Sequence, residues 1–148
     1  MKLEARPEIS VLGLDIGSRR IGVAGCDRTG LLATEITTVE NKSFGHVTEQ
    51  LRQLIRQRQA TRLIVGLPYT LDGEIGAQAR RVKKFSKRLA LALELPITYV
   101  DERLTSVEAE QQLFAERRSP RKNKGLIDRR AAAIILQQWL DQKRLQAP

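Results

Sequence analysis

The sequence predicts an α/β fold, a mixed five-stranded sheet with helices on both faces. Three observations carry that expectation. The chain opens with short runs rich in alternating and β-branched residues, with no helical periodicity between them. Apolar residues at helical spacing then alternate with short apolar runs. The fourth run is nearly continuous in its apolar character, as a parallel strand buried on both faces is.

The elements follow in order. In "VLGLDIG" (Val11–Gly17), Leu12, Leu14 and Ile16 alternate with Val11, Gly13 and Asp15, the period of a strand. "RIGVAGCD" (Arg20–Asp27) is a second strand, and the short "GSRR" between the two makes a hairpin. "RTG" turns the chain into a third strand, "LLATEITTV" (Leu31–Val39), completing an antiparallel meander. Phe44, Val47, Leu51, Leu54 and Ile55 recur at helical spacing. "RLIVGLP" is the fourth strand and "YTLDGE" a loop in which Asp72–Gly73 makes a turn. Ala79, Val82, Phe85, Leu89 and Leu93 mark a second helix that Pro96 stops, and "ITYV" is the fifth strand.

Thr105 with Glu108 fits a capping box, which starts a third helix at Ser106. "RRSPRKNKG" (Arg117–Gly125) has no periodicity and reads as a mobile basic loop. Ile127, Ala131, Ile134, Ile135 and Trp139 mark the last helix. Strands alternating with helices imply right-handed crossovers, so two parallel strands join the meander. The expectation is one domain over residues 1–148, with a core at about 11–141 and frayed ends at 1–8 and 142–148.

Composition narrows the function. With 148 residues and 41% hydrophobic content, the chain can bury a real core. Lys and Arg number 26 against 17 acids, a net charge of +9, which favours a polyanionic partner, nucleic acid first. Cys26 is the single cysteine, which excludes a disulfide framework and a zinc quartet and fits a reducing compartment. "MKLEARPEIS" has no apolar signal core and no window reaches 18 apolar residues, so a cytoplasmic protein with no membrane partner is expected. His46 is the single histidine and is given no role; Cys26 has no histidine near it in sequence to make it a nucleophile.

The chemistry lies in acids that sit where acids are costly. Asp is depleted in strands, yet Asp15 stands inside one, on a face shared with Val11 and Gly13. Asp101 and Glu102 end the fifth strand, and ligands of open α/β sheets gather at the carboxyl ends of parallel strands. Successive strand residues point to opposite faces, so only one of the two easily faces Asp15. Asp128 shares a helical stripe with Ala132, Ile135 and Trp139, an otherwise apolar stripe. Each acid also has a plain reading: Asp15 bonded to its turn, Asp101 and Glu102 solvated beside Arg103, Asp128 favoured by a helix dipole. Taken together, three carboxylates from distant segments suggest a hard-cation site for Mg²⁺ or Mn²⁺, and on a +9 chain such a site suggests phosphodiester cleavage.

"GLDIGSRRIGVA", "IVGLPYTLDG", "DERLTS" and "GLIDRRAAAIILQQWL", in that order between about Val11 and Leu140, resemble the YqgF family, also called RuvX. Its members are described as Holliday junction resolvases and as nucleases that mature the precursor of 16S ribosomal RNA. The resemblance implies an RNase H-like fold. It implies Asp15, Glu102 and Asp128 as catalytic metal ligands, with Glu102 preferred over Asp101 because its longer arm reaches inward.

The basic residues then gain a use in phosphate contact: Arg19 and Arg20 after the first strand; Arg80, Arg81, Lys83, Lys84, Lys87 and Arg88 on the second helix; Arg103; Arg117, Arg118, Arg121, Lys122 and Lys124 in the loop; and Arg129 beside Asp128. Tyr69 could stack an unpaired base, though packing or plain exposure also accounts for it. "DIGSRR" is also similar to the phosphate loop of sugar kinases and actin-like ATPases, but those need two such domains. The leading expectation is a metal-dependent endonuclease acting on rRNA precursor, ahead of branched DNA. The alternatives are a non-catalytic module that binds rRNA or the ribosome, and a single-domain nucleotide-binding protein. Either a monomer or a homodimer fits the sequence.

Overall fold

The structure is a computed structural model, and it describes residues 9–68, 75–102, 105–116 and 124–146. Along the chain run β1 (Leu12–Ile16), β2 (Arg20–Cys26), β3 (Ala33–Glu40), α1 (Phe44–Arg58), β4 (Leu63–Leu67), α2 (Ala77–Leu93), β5 (Ile97–Asp101), α3 (Thr105–Ala115) and α4 (Lys124–Gln146). The strands form one sheet in the order β3-β2-β1-β4-β5. β1 pairs antiparallel with β2, and β2 with β3, while β1–β4 and β4–β5 are parallel. The mixed sheet expected from the element order is therefore present, and the carboxyl ends of β1, β4 and β5 lie on one edge of it.

The period of two divides β1 between two cores. Leu12, Leu14 and Ile16 pack with Val23, Val65 and Leu67 beneath α1 and α2. Val11 packs on the other face with Ala24, Ile64 and Val100, beneath Ala132, Ile135, Leu136 and Leu140 of α4. Asp15 belongs to this second face by alternation.

On that face, glycines let α4 settle almost onto the strand backbones. A Cβ on Gly22 would stand 1.9 Å from the Asp128 carbonyl oxygen. One on Gly13 would stand 2.8 Å from the Leu136 Cβ, and one on Gly66 2.5 Å from the Ile135 Cδ1. On the helix side the small Ala131 and Ala132 are fully buried. Further polar contacts hold α4 in place: the Thr38 hydroxyl donates to the Gly125 carbonyl at 2.6 Å, and Arg130 pairs with Glu35 of β3 and with Glu116 beyond α3.

Several boundaries differ from the sequence reading; α4 starts at Lys124, so Lys124 and Gly125 of the run read as a loop are helical, and the Thr38 hydroxyl holds the Gly125 carbonyl there. The third strand starts at Ala33 rather than Leu31, because the Asp27 carboxylate accepts from the Leu31 and Leu32 amides at 2.8 and 2.9 Å and holds both in the turn, with Gly30 at φ +73°. α3 starts at Thr105, one residue early; the side chain of the expected capping residue lies outside the described residues. α4 continues to Gln146 where fraying was expected from Gln142. Leu140 is buried, Lys143 stacks over Trp139, and Arg144 pairs with Asp141, so the turn after Leu140 has its own contacts.

The glycine contact predicts opposite outcomes at two positions. Gly22→Ala should destabilise the protein by about 1–3 kcal/mol or more, since backbone must move to admit the methyl group. Gly45→Ala, in the first turn of α1 with nothing within 4 Å of the new Cβ, should stabilise by about 0.5–1 kcal/mol. Urea titration of both variants against wild type reads each change as a shift in midpoint.

Candidate functional site

Asp15 is the next-to-last residue of β1 and stands opposite Gly22 in the β1–β2 register. Glu102 follows β5 directly; its amide donates to the Leu67 carbonyl at 3.0 Å, which extends the β4–β5 pairing by one step. That step turns Glu102 inward, 9% exposed, while Asp101 before it faces solvent. Asp128 lies in the second turn of α4, and the contact of its carbonyl with Gly22 holds it over the sheet. The three acids come from β1, the end of β5 and α4, and all lie on the α4 side of the sheet.

The Asp15 and Glu102 carboxyl groups lie within hydrogen-bonding reach of each other. Burial is the first reason that both bind protons above the ordinary carboxylate range, Asp15 pushed up to about 7 and Glu102 to about 8. The Asp128 charge raises Asp15 further, and the Asp15 and Asp101 charges raise Glu102. Asp128 has a cationic neighbour instead: Arg20 Nε donates to its Oδ2 at 2.7 Å.

Among the described residues, no three His, Cys, Asp or Glu side chains are gathered tightly enough to hold a metal ion. Yet the donor set is made of oxygen alone, as hard cations require. Two of the carboxyls are within hydrogen-bonding reach, and the third is close enough to perturb one of them. Carboxyls kept protonated by mutual repulsion and burial are groups that a cation would ionise. The chemistry of the donor set therefore suits a divalent ion, while the three side chains are not gathered around one point and Asp128 is paired with Arg20.

The basic residues fall into three groups. Arg19 is exposed on the β1–β2 turn, Lys124 is exposed at the start of α4 and Arg129 is half-buried, all near the acids. Arg80, Arg81, Lys84 and Arg88 are exposed on α2, which packs on the opposite face of the sheet. Arg88 is held over the Phe44 ring at 4.2 Å. Arg103, Arg117, Arg118, Arg121 and Lys122, with Tyr69 and the Asp72–Gly73 turn, lie outside the described residues.

Two features of the site went unread in the sequence. One is Arg20 as the partner of Asp128, which needs two segments brought together by the fold. The other is the glycine floor. Gly22 as the seat of the Asp128 carbonyl depends on how α4 packs on β2, which no local pattern records.

Residues 9–142 match the model of the family described as "RuvX: Holliday junction resolvase". The chain belongs to the RuvX family. Its relative in Trichormus variabilis is 63% identical over 139 residues, 94% of this chain and 92% of the relative. One in Crocosphaera subtropica is 61% identical over 136 residues, 92% of this chain and 95% of the relative. Both carry the name "Putative pre-16S rRNA nuclease". Among solved structures, Thermus thermophilus RuvC in complex with a Holliday junction superposes with a TM-score of 0.59 at 15% identity, covering 94% of this chain and 98% of that one. The RuvX chain thus has the RNase H-like fold that its motifs implied.

Raised carboxyl pKa values fix the sign of a pH effect in this RuvX protein. Both acids bind protons more tightly folded than unfolded, so their contribution to stability is full below about pH 4 and is lost as pH rises through about 7 to 8. In chelator-treated protein, Asp15→Asn should flatten that dependence and raise the melting temperature at pH 8 by roughly 3–6 °C, or about 1–2 kcal/mol. Calorimetric scans of both proteins between pH 5 and 8 check it.

Proposed function

We propose that this chain is a metal-dependent endonuclease that cuts phosphodiester bonds in structured RNA, maturing the 5′ end of the 16S rRNA precursor in the cytoplasm during ribosome assembly. The observation that carries the reading is the Asp15–Glu102 carboxyl pair, the two within hydrogen-bonding reach at the carboxyl end of a parallel sheet with Asp128 close by. No helix among the described residues is long and apolar enough to cross a membrane. The net charge of +9 suits a polyanionic substrate.

Asp15, Glu102 and Asp128 would hold Mg²⁺ or Mn²⁺. Bound divalent ions supply an activated water and stabilise the leaving oxygen, the chemistry of two-metal phosphodiester hydrolysis. The chain's own residues do the rest. The glycine floor fixes the separation of Asp128 from the two strand acids. Arg20, now the ion-pair partner of Asp128 at 2.7 Å, would be available to a substrate phosphate once a cation took over that counter-charge. Arg19 and Lys124 hold neighbouring phosphates, a source of affinity that carries little sequence information.

The name that the close relatives carry supports rRNA precursor as substrate. The description of the family supports a second reading, resolution of branched DNA, which needs a symmetric dimer to cut two strands. Trimming of RNA needs only one copy.

Cleavage of an end-labelled rRNA precursor fragment and of a four-way DNA junction, each with Mg²⁺, Mn²⁺ or chelator, tests the proposal. The RNA should be cut only with a divalent ion. Asp15→Asn and Asp128→Asn should each lose more than the roughly 10–100-fold that removal of an outer-shell partner costs. Binding of RNA without cleavage under every ion would overturn it. Cutting of the junction alone would establish the second reading.

A further inference from the structure

A cavity of about 240 Å³ opens beside the β1–β2 turn, on the sheet face away from the acids. Its apolar wall is Ile16, Val82 and Phe85. Its polar rim is Ser18, Gln78 and Arg81, with Asn41 and the Gly17 main chain between. The catalytic reading uses none of these side chains. Ile16 and Asp15 are neighbours on β1 with side chains on opposite faces, so cavity and acids lie back to back at the same carboxyl edge.

Ring and hydrogen-bond contacts brace the walls. Phe85 meets Phe44 edge-on, with centroids 5.9 Å apart and planes at 85°. Asn41 fixes the turn by donating its side-chain amide to the Gly17 carbonyl at 3.0 Å and its main-chain amide to the Arg19 carbonyl at 2.8 Å. The charge on the helix that walls the cavity has one sign. α2 carries Arg80, Arg81, Lys83, Lys84, Lys87 and Arg88 and no acid. Lys83 and Arg88 are committed to the Tyr99 and Phe44 rings. Arg81 at the rim is exposed and makes no ion pair among the described residues.

We infer that this cavity receives one unpaired nucleobase of the substrate strand, flanking the bond that the acids cut. The inference rests on the nuclease reading above and names a feature of its substrate, a single-stranded flank that folds over the carboxyl edge. The cavity is smaller than the about 300–1,000 Å³ of pockets for drug-sized ligands, a size for one base rather than a whole nucleotide. Apolar walls and an aromatic ring take the base, and the amide and hydroxyl of the rim meet its polar edge. Arg81 takes the adjoining phosphate, and the row Arg80, Lys84 and Lys87 continues that charge along α2 for the strand beyond.

The test compares two RNA probes of one sequence, a blunt duplex and the same duplex with a single-stranded overhang. Both are titrated by fluorescence anisotropy into full-length wild type, Gln78→Trp, which fills the cavity from an exposed helix position, and Arg81→Glu. Melting curves confirm that each variant is folded. Wild type should prefer the overhang, and in each variant that preference should fall about tenfold. A 2-aminopurine placed in the overhang should change its emission on binding wild type and not Gln78→Trp.

Unchanged preference in both folded variants overturns the inference. So does an equal loss on both probes, which would make α2 a general electrostatic surface. Free adenosine monophosphate competing as well as the overhang would reassign the cavity to a mononucleotide. Cleavage is scored separately with the same proteins: selective loss of overhang binding in a protein that cuts nothing keeps the cavity assignment and removes the nuclease reading, and the converse pattern does the reverse.

Discussion

Helix α4 lies against β2 with only the main chain of Gly22 beneath the Asp128 carbonyl, and the rest of the site depends on that contact. Any side chain at position 22 would lift the helix. Gly13 and Gly66 repeat the arrangement under Leu136 and Ile135, and buried Ala131 and Ala132 answer it from the helix. The approach does two things at once. It closes the second core with close-packed apolar contacts, and it carries Asp128 to within electrostatic reach of Asp15. The packing that stabilises the fold thus also sets the geometry of the acids, which accounts for an active-site candidate built on strand and helix rather than on loops.

The cluster so formed is costly to the folded chain. Asp15 and Glu102 stand in a poorly hydrated place, repel one another when ionised, and lie within reach of a hydrogen bond that needs a proton. Arg20 relieves only the third acid. A divalent ion would remove the repulsion and let both carboxyls ionise, which links binding of the ion to stability. With Asp15 as a metal ligand, as proposed, function and stability would pull against each other there.

Much of this was legible in the sequence for definite physical reasons. Alternation located β1, and the misfit of an Asp within it marked Asp15. The same reasoning found the acids at the end of β5, and the apolar stripe of α4 found Asp128. Alternation left open which of Asp101 and Glu102 faces inward; the structure turns Glu102 in and exposes Asp101. What the sequence withheld were facts that depend on contact between distant segments. Asp27 ties Leu31 and Leu32 into a turn by side-chain bonds that no propensity records, and so shortens β3. The cations of α2 are conspicuous as a run, but which face of the sheet they cover depends on chain crossover, and they prove to lie opposite the acids. The pairing of Arg20 with Asp128 likewise required β2 and α4 to be placed together.

The central claim is that Asp15, Glu102 and Asp128 act as one cation site over the glycine floor. Calorimetric titration of Mn²⁺ into wild type and into Asp128→Asn, each bound to an rRNA precursor fragment in a non-cleaving low-temperature buffer, tests it most directly. Saturable binding in wild type that weakens by tenfold or more in the variant, with RNA affinity unchanged, is the result this account predicts. Equal Mn²⁺ binding by the two proteins, or none by either, would contradict it and leave the carboxyl pair a structural feature of a basic, RNA-binding surface.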